Sequence, residues 1–269
     1  MGSLRERERE MAAIRDLLDG RGRMLLLEGR AGIGKTSLTE VACSRAAELG
    51  GEVLRARGSE LESGFAFGVV RQLFERRLAA AGPGERAALL AGPAAAARPL
   101  LSGELAGQLA GDSSFAVLHG LYWLVVNLAA GRPLLLAVDD AHWADEPSLR
   151  WLAYLARRLD GLAARMLVAL RPGDPVVMGA PLLAVCAEAA AVVRPALLSE
   201  EAVRAVVRAG AHAGVGGEVS DELCAAAYAA CGGNPLYLTE LLRAADRGGL
   251  AGPSAGRAAV TRAAGRGAA

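Results

Sequence analysis

The residues best suited to chemistry lie in two short runs. The first, Gly29-Arg30-Ala31-Gly32-Ile33-Gly34-Lys35-Thr36-Ser37, follows the apolar stretch Leu25-Leu26-Leu27 and has the spacing G-x-x-x-x-G-K-T. This is the phosphate-binding P-loop pattern. Its glycines, Gly29, Gly32 and Gly34, let the backbone curl so that successive N–H groups, Ile33 among them, face one anion. The helix that follows aims its positive dipole end at the same point. Lys35, the only lysine in the chain, supplies a mobile charge for the β- and γ-phosphates. Thr36 offers a hydroxyl to Mg²⁺, and Ser37 completes the nucleotide-contacting set. A chance glycine-rich turn is the competing reading, and the isolated lysine together with the strand before and helix after argue against it.

The second run, Leu134-Leu135-Leu136-Ala137-Val138-Asp139-Asp140, reads as a buried strand ending in two carboxylates, a Walker B pattern. Carboxylates at the C-terminal end of a parallel strand lie where ligands bind in open α/β sheets. Asp139 is expected to hold Mg²⁺ opposite Thr36, and Asp140 to polarise the attacking water. A plain Asp-Asp turn is the alternative. The next apolar strand ends at Arg171, where a sensor of the γ-phosphate would stand if that strand lies between the other two. A solvated strand-end arginine is the alternative there.

His142 and Trp143 follow the acidic pair, and with no second His or Cys nearby they read as packing residues rather than metal ligands. Phe65, Phe67, Tyr122 and Trp123 read as core.

Positioning these groups requires parallel strands alternating with helices. The 269 residues, 53% hydrophobic and 22% charged, suit one large α/β domain with a small satellite. The pattern gives strands at 24–27, 53–56, 134–138, 165–170 and 192–197, the Ala/Gly/Pro-rich segment 81–111 remaining undecided. From Ser199 only helices follow, at 199–210, 220–231 and 235–246, with Ser199 and Ser220 as N-caps. The expected architecture is therefore an α/β P-loop NTPase three-layer sandwich with a parallel sheet over 1–198. A small C-terminal helical lid covers 199–248, and 249–269 is a disordered tail.

The four cysteines have no C-x-x-C spacing and read as buried thiols. No signal peptide opens the chain, and the most apolar run, Phe115 to Ala130, is broken by His119 and Asn127. A cytoplasmic, soluble protein without membrane contact is expected. A net charge of +1 gives no general pull toward DNA or anionic membranes.

The run Asp139-Asp140-Ala141-His142-Trp143-Ala144-Asp145, followed by Ser148-Leu149, resembles the signal-transduction (STAND) ATPase module. More narrowly it is similar to the N-terminal ATPase of the large ATP-binding LuxR-type regulators, which share the D-D-x-H-W-x-D run. Gly58-Ser59-Glu60 leading to Phe67-Gly68-Val69-Val70-Arg71-Gln72-Leu73, and Leu118-His119-Gly120-Leu121-Tyr122-Trp123-Leu124, agree in order. Gly232-Gly233-Asn234-Pro235-Leu236 resembles the G-x-P motif of the lid, and Arg7-Glu8-Arg9-Glu10 the opening G-R-E-x-E, with Glu6 where that pattern has glycine.

The resemblance implies ATP or ADP with Mg²⁺ as cofactors, slow ATP hydrolysis and a switch between closed and open states. It implies Pro235 on the adenine side and Arg7 and Glu8 lining the base pocket. Such regulators continue into a sensor region and a DNA-binding helix-turn-helix, which this chain does not reach. The helix pair 199–210 and 220–231 has a long glycine-rich joint, and its second helix opens with Asp221-Glu222. Specific DNA binding by this chain alone is therefore not expected; a protein partner or self-association is. Two other functions stay open: a nucleotide-gated interaction module that scarcely turns over, and a P-loop small-molecule kinase.

Overall fold

The computed structural model describes residues 5–103, 112–173, 175–212 and 220–247. The chain forms two compact units. One comprises Arg9–Gly29 and Lys35–Arg194; the other comprises Met1–Glu8, Arg30–Gly34 and Pro195–Ala269.

In chain order the elements are α1 (Glu8–Leu18), β1 (Met24–Glu28), α2 (Lys35–Glu48), β2 (Glu52–Arg57), α3 (Gly68–Ala80), α4 (Pro83–Leu89), α5 (Arg98–Leu101) and α6 (Asp112–Ala129). There follow β3 (Leu134–Asp139), α7 (Glu146–Ala156), β4 (Ala164–Leu170), α8 (Pro175–Ala187), β5 (Ala191–Val193), α9 (Glu200–His212), α10 (Asp221–Cys231) and α11 (Pro235–Arg247). The first unit is built on a five-stranded sheet in the order β2-β3-β4-β1-β5, with every pair parallel. The expected α/β P-loop fold is thus present.

The strands β1, β3 and β4 read as unbroken apolar runs because helices cover the sheet on both faces. α2 packs on β2, β3 and β4, while α3 packs on β2 and α6 on β4. Every residue of β3 is buried. Trp151 of α7 meets Phe74 of α3 edge-on, with ring centroids 5.5 Å apart, in the middle of this core. The order places β4 between β1 and β3, so the ends of the P-loop strand, the Asp139 strand and the strand leading to Arg171 lie side by side.

Three local readings change. The Ala/Gly/Pro-rich segment 81–111 contains α4, a 3₁₀ turn at Gly92–Ala97 and α5. Its small residues allow a close approach to α6: a Cβ on Gly120 would stand 2.8 Å from Ala97 N. Periodicity carries no signal for backbone packed that tightly. The last strand ends at Val193 rather than 197, two residues before Pro195, which has no N–H to give a ladder. Phe65 is not core: it is 67% exposed, in the connection after β2. Phe67, two residues on, is buried. Tyr122 and Trp123 are partly buried against the core.

The second unit has its own small core of Leu198, just before α9, with Val203, Val207, Cys224, Ala227, Cys231 and Leu238 from α9, α10 and α11. Ser220 accepts a hydrogen bond from Leu223 N, and Ser199 Oγ one from Ala202 N, so both serines cap their helices. The proposed tail 249–269 and most of the glycine-rich joint lie outside the described residues. None of the four cysteines is in a disulfide; Cys43, Cys224 and Cys231 are buried. No helix among the described residues is long and apolar enough to cross a membrane.

Candidate functional site

In the sheet unit, five candidate side chains, those of Lys35, Thr36, Asp139, Asp140 and Arg171, stand at or just beyond the C-terminal ends of β1, β3 and β4. Lys35 opens α2 and is buried. Its ammonium donates to Gly29 O at 2.8 Å. Burial pushes its pKa down; the carboxylates of Asp140 and Asp139 oppose this, and Arg171 adds to it.

Thr36 Oγ1 donates to Asp139 Oδ2 at 2.7 Å. Asp139 Oδ1 in turn accepts from Asp140 N at 3.0 Å. Oxygens that share one Mg²⁺ shell stand about 3 Å apart, so this pair fits a divalent cation. Among the described residues no group of three or more His, Cys, Asp or Glu could hold a metal alone. Ser37 follows, exposed, on the first turn of α2.

Asp140 takes a left-handed backbone with φ 48. Its turn is fixed by Trp143 N donating to Asp140 O at 2.9 Å. Gly58, just after β2, donates its N–H to Asp139 O. A Cβ at Gly58 would stand 2.3 Å from Asp140 O, so only glycine lets the two strand ends approach this closely. The Asp140 carboxylate is not open: Arg57, the last residue of β2, donates to Oδ2 through Nε at 3.0 Å and Nη2 at 2.7 Å. Nothing in the sequence around Arg57 marks this pairing, because arginine is abundant and the partner lies 83 residues away.

Arg171 follows β4 and is exposed. Its backbone N–H donates to His142 Nδ1 at 3.4 Å. His142 Nε2 is buried without a protein partner. Burial pushes the His142 pKa down; Asp140 opposes this, while Arg171 and Lys35 reinforce it. The imidazole packs beside Trp143, with 5.2 Å between ring centroids. Asp145, last acid of the same run, is structural. Its carboxylate accepts from Phe67 N (2.7 Å), Ser148 N (2.9 Å) and Val69 N (3.2 Å). It thus caps α7 and also α3, whose own cap residue Phe67 has no side-chain acceptor.

In the second unit lies the crest of the loop, residues 30–34. Gly32 has φ 75 and Gly34 φ 102, conformations that suit glycine. A Cβ on Gly34 would meet no heavy atom within 4 Å, which leaves room beside the loop for a bound group. Arg7 is buried; its guanidinium donates to Ile33 O (3.3 Å) and Ala196 O (2.9 Å). Glu8 is exposed at the start of α1. Glu6, where the resemblance has glycine, keeps a positive φ of 54. Its carboxylate accepts from Ser199 N and Ser199 Oγ, and these bonds hold its pKa below the usual carboxylate value. Pro235 opens α11. Just before it, Asn234 donates to Ala31 O at 3.1 Å.

A family model described as "AAA ATPase domain" matches residues 3–169. Comparison with curated proteins gives no match. The ORC2 protein of Aeropyrum pernix, solved as ADPNP-ADP complexes, is similar at 18% identity and TM-score 0.62, over 97% of this chain and 69% of that one. The ORC1 protein of the same organism, solved in complex with DNA, matches at 16% identity and TM-score 0.62, over 98% and 66%. A STAND protein with a tetratricopeptide repeat sensor from Pyrococcus horikoshii matches at 18% identity and TM-score 0.50. That match covers 90% of this chain but 30% of the other. At these identities the likeness concerns the fold.

Proposed function

Because the chain belongs to the AAA ATPase domain family, we propose that it binds ATP with Mg²⁺, hydrolyses it slowly and acts as a nucleotide-driven signalling switch. The D-D-x-H-W-x-D run favours the ATPase module of a LuxR-type transcriptional regulator. The observation that carries the reading is the Thr36–Asp139 oxygen pair at 2.7 Å beside the buried Lys35.

We assign the roles from the sequence pattern, and the geometry of the loop and strand ends supports them. The N–H groups of the loop from Gly29 through Gly32, Ile33 and Gly34 receive phosphate oxygens, with Lys35 adding charge. Thr36 and Asp139 hold the cation, and Ser37 extends the contacts of α2. Mg²⁺, when bound, supplies charge neutralisation between the phosphates. Asp140 orients and deprotonates the attacking water. Arg171 stabilises charge on the γ-phosphate. Arg7, Glu8 and Pro235 are assigned to the base by resemblance, and Arg7 also holds Ile33 O. A protein partner or a second copy receives the signal, and the chain alone does not recognise DNA.

A second reading is favoured by one observation. Arg57 occupies Asp140 Oδ2 through two donors, so the base is neutralised, as in a nucleotide-gated interaction module with scant turnover. Steady-state phosphate release separates the two. Turnover that is lost in Asp140→Asn supports the ATPase; tight ATP binding with no release above that variant supports the gated module.

A further inference from the structure

Asn234 uses both ends of its side-chain amide. Oδ1 accepts from Leu236 N at 3.0 Å and from Tyr237 N at 3.5 Å, which is an N-cap of α11. Nδ2 donates to Ala31 O at 3.1 Å. Leu236 N also reaches Gly32 O at 3.2 Å. One side chain thus ties the start of a helix to the crest of the phosphate-loop motif some 203 residues away in sequence.

Gly32 shows how close the approach is. A Cβ there would stand 2.6 Å from Asn234 Oδ1 and 2.7 Å from Leu236 Cβ. The glycine is required by this contact as well as by its positive φ of 75. By contrast, nothing stands within 4 Å of a Cβ on Gly34. One side of the crest is therefore packed and pinned while the other is open.

We infer that Asn234 is a positioning residue for phosphate binding: it holds the carbonyl of Ala31 and so fixes the orientation of the peptide units at the loop crest. The inference rests on the proposed nucleotide site. The chemistry is specific to the amide. An acceptor caps the helix, but only a donor can hold a carbonyl. Ion binding by backbone N–H groups depends on their preset direction, so a loop that must be ordered on binding binds more weakly. Phosphate-bearing ligands are affected, and a nucleoside without phosphate is not.

Two substitutions separate this role from helix capping. Asn234→Ser and Asn234→Asp both retain an N-cap acceptor; neither can donate to Ala31 O, since serine is too short and the carboxylate has no N–H. Serine also carries no charge, so repulsion of the anion cannot explain its effect. The full-length chain is titrated with Mg·ATP, Mg·ADP and adenosine, thermal midpoints are taken, and amide hydrogen exchange over residues 30–34 is followed without ligand.

The expected result for both variants is a thermal midpoint near the parent's and faster exchange over 30–34. ATP and ADP should bind about tenfold more weakly, as for one lost hydrogen bond, with adenosine unchanged. Weakening by Asp alone, equal loss of adenosine, or parental exchange in Asn234→Ser overturns the inference. If the parent binds no nucleotide, the functional reading fails, and the exchange measurement still decides whether Asn234 pins the loop.

Discussion

Arg57 and Asp140 form a two-donor ion pair across neighbouring strand ends, Nη2 lying 2.7 Å and Nε 3.0 Å from the same carboxylate oxygen. The guanidinium is largely solvent-exposed, at 66% of its side chain, whereas the carboxylate is 12% exposed. Breaking such a half-open pair is cheap, because water re-solvates the arginine. Under the proposed ATPase reading, the pair is expected to restrain the base and to add little stability. Arg57→Ala should raise steady-state phosphate release several-fold, with the thermal midpoint nearly unchanged. A variant with parental or lower turnover contradicts that restraint.

Asp140→Asn removes the base and keeps the shape of the turn. Mg·ATP binding should persist, because Lys35, Thr36 and Asp139 are untouched. Hydrolysis should fall by about 10²-fold or more, the usual scale for a general base. Single-turnover assays with enzyme in excess measure it, and parental rates would reassign the role.

Asp145→Ala should be the most destabilising change in the D-D-x-H-W-x-D run. It strands the N–H groups of Phe67, Val69 and Ser148, each a buried donor worth about 1–3 kcal/mol when unsatisfied. A loss of about 3–5 kcal/mol in urea unfolding is expected, with Asp145→Asn intermediate. A loss below about 1 kcal/mol for alanine would show that water replaces the carboxylate.

The chemical skeleton of the site was legible in the sequence because its signals are local. The loop from Gly29 to Ser37, the strand ending at Asp139-Asp140 and the strand ending at Arg171 each announce themselves within ten residues, and the parallel order brings them together. Arg57 and Asn234 were not legible. Each acts through a partner far along the chain, Asp140 and Ala31. The sequence around His142 points to packing, and its ring lies beside Trp143. What spacing could not show is that its Nε2 is buried without a protein partner. Phe65 misled because an aromatic two residues from the buried Phe67 looks like core, yet the turn between them points it outward.

Lys35 sets an alkaline limit on binding. Its pKa lies below the ordinary lysine value of 10.5, chiefly because it is buried. Bound phosphate favours the ammonium, so affinity is full below the free-protein pKa and is lost as pH rises through it. That window therefore opens below 10.5. Kd for Mg·ADP measured from pH 7 to 11 should begin to rise before pH 10.5 is reached; a profile that stays flat through 10.5 contradicts a charged Lys35 in contact with phosphate.

Recognition of DNA by this chain alone is expected to fail. With a net charge of +1, few counterions are available for release, and α10, the second helix of the candidate pair, opens with Asp221 and Glu222. Gel shifts at physiological salt should show no sequence-dependent complex at nanomolar protein. A complex that survives competitor DNA would make α9 and α10 a reading head.

Calorimetric titration of the parent chain and of Lys35→Ala with Mg·ATP tests the nucleotide site most directly. Lys35 is the only lysine in the chain and donates to Gly29 O at the base of the loop. The parent should bind with a stoichiometry of one, and Lys35→Ala, with unchanged circular dichroism, should give no measurable heat of binding. Equal affinity in the two proteins, or no binding by the parent, contradicts the account.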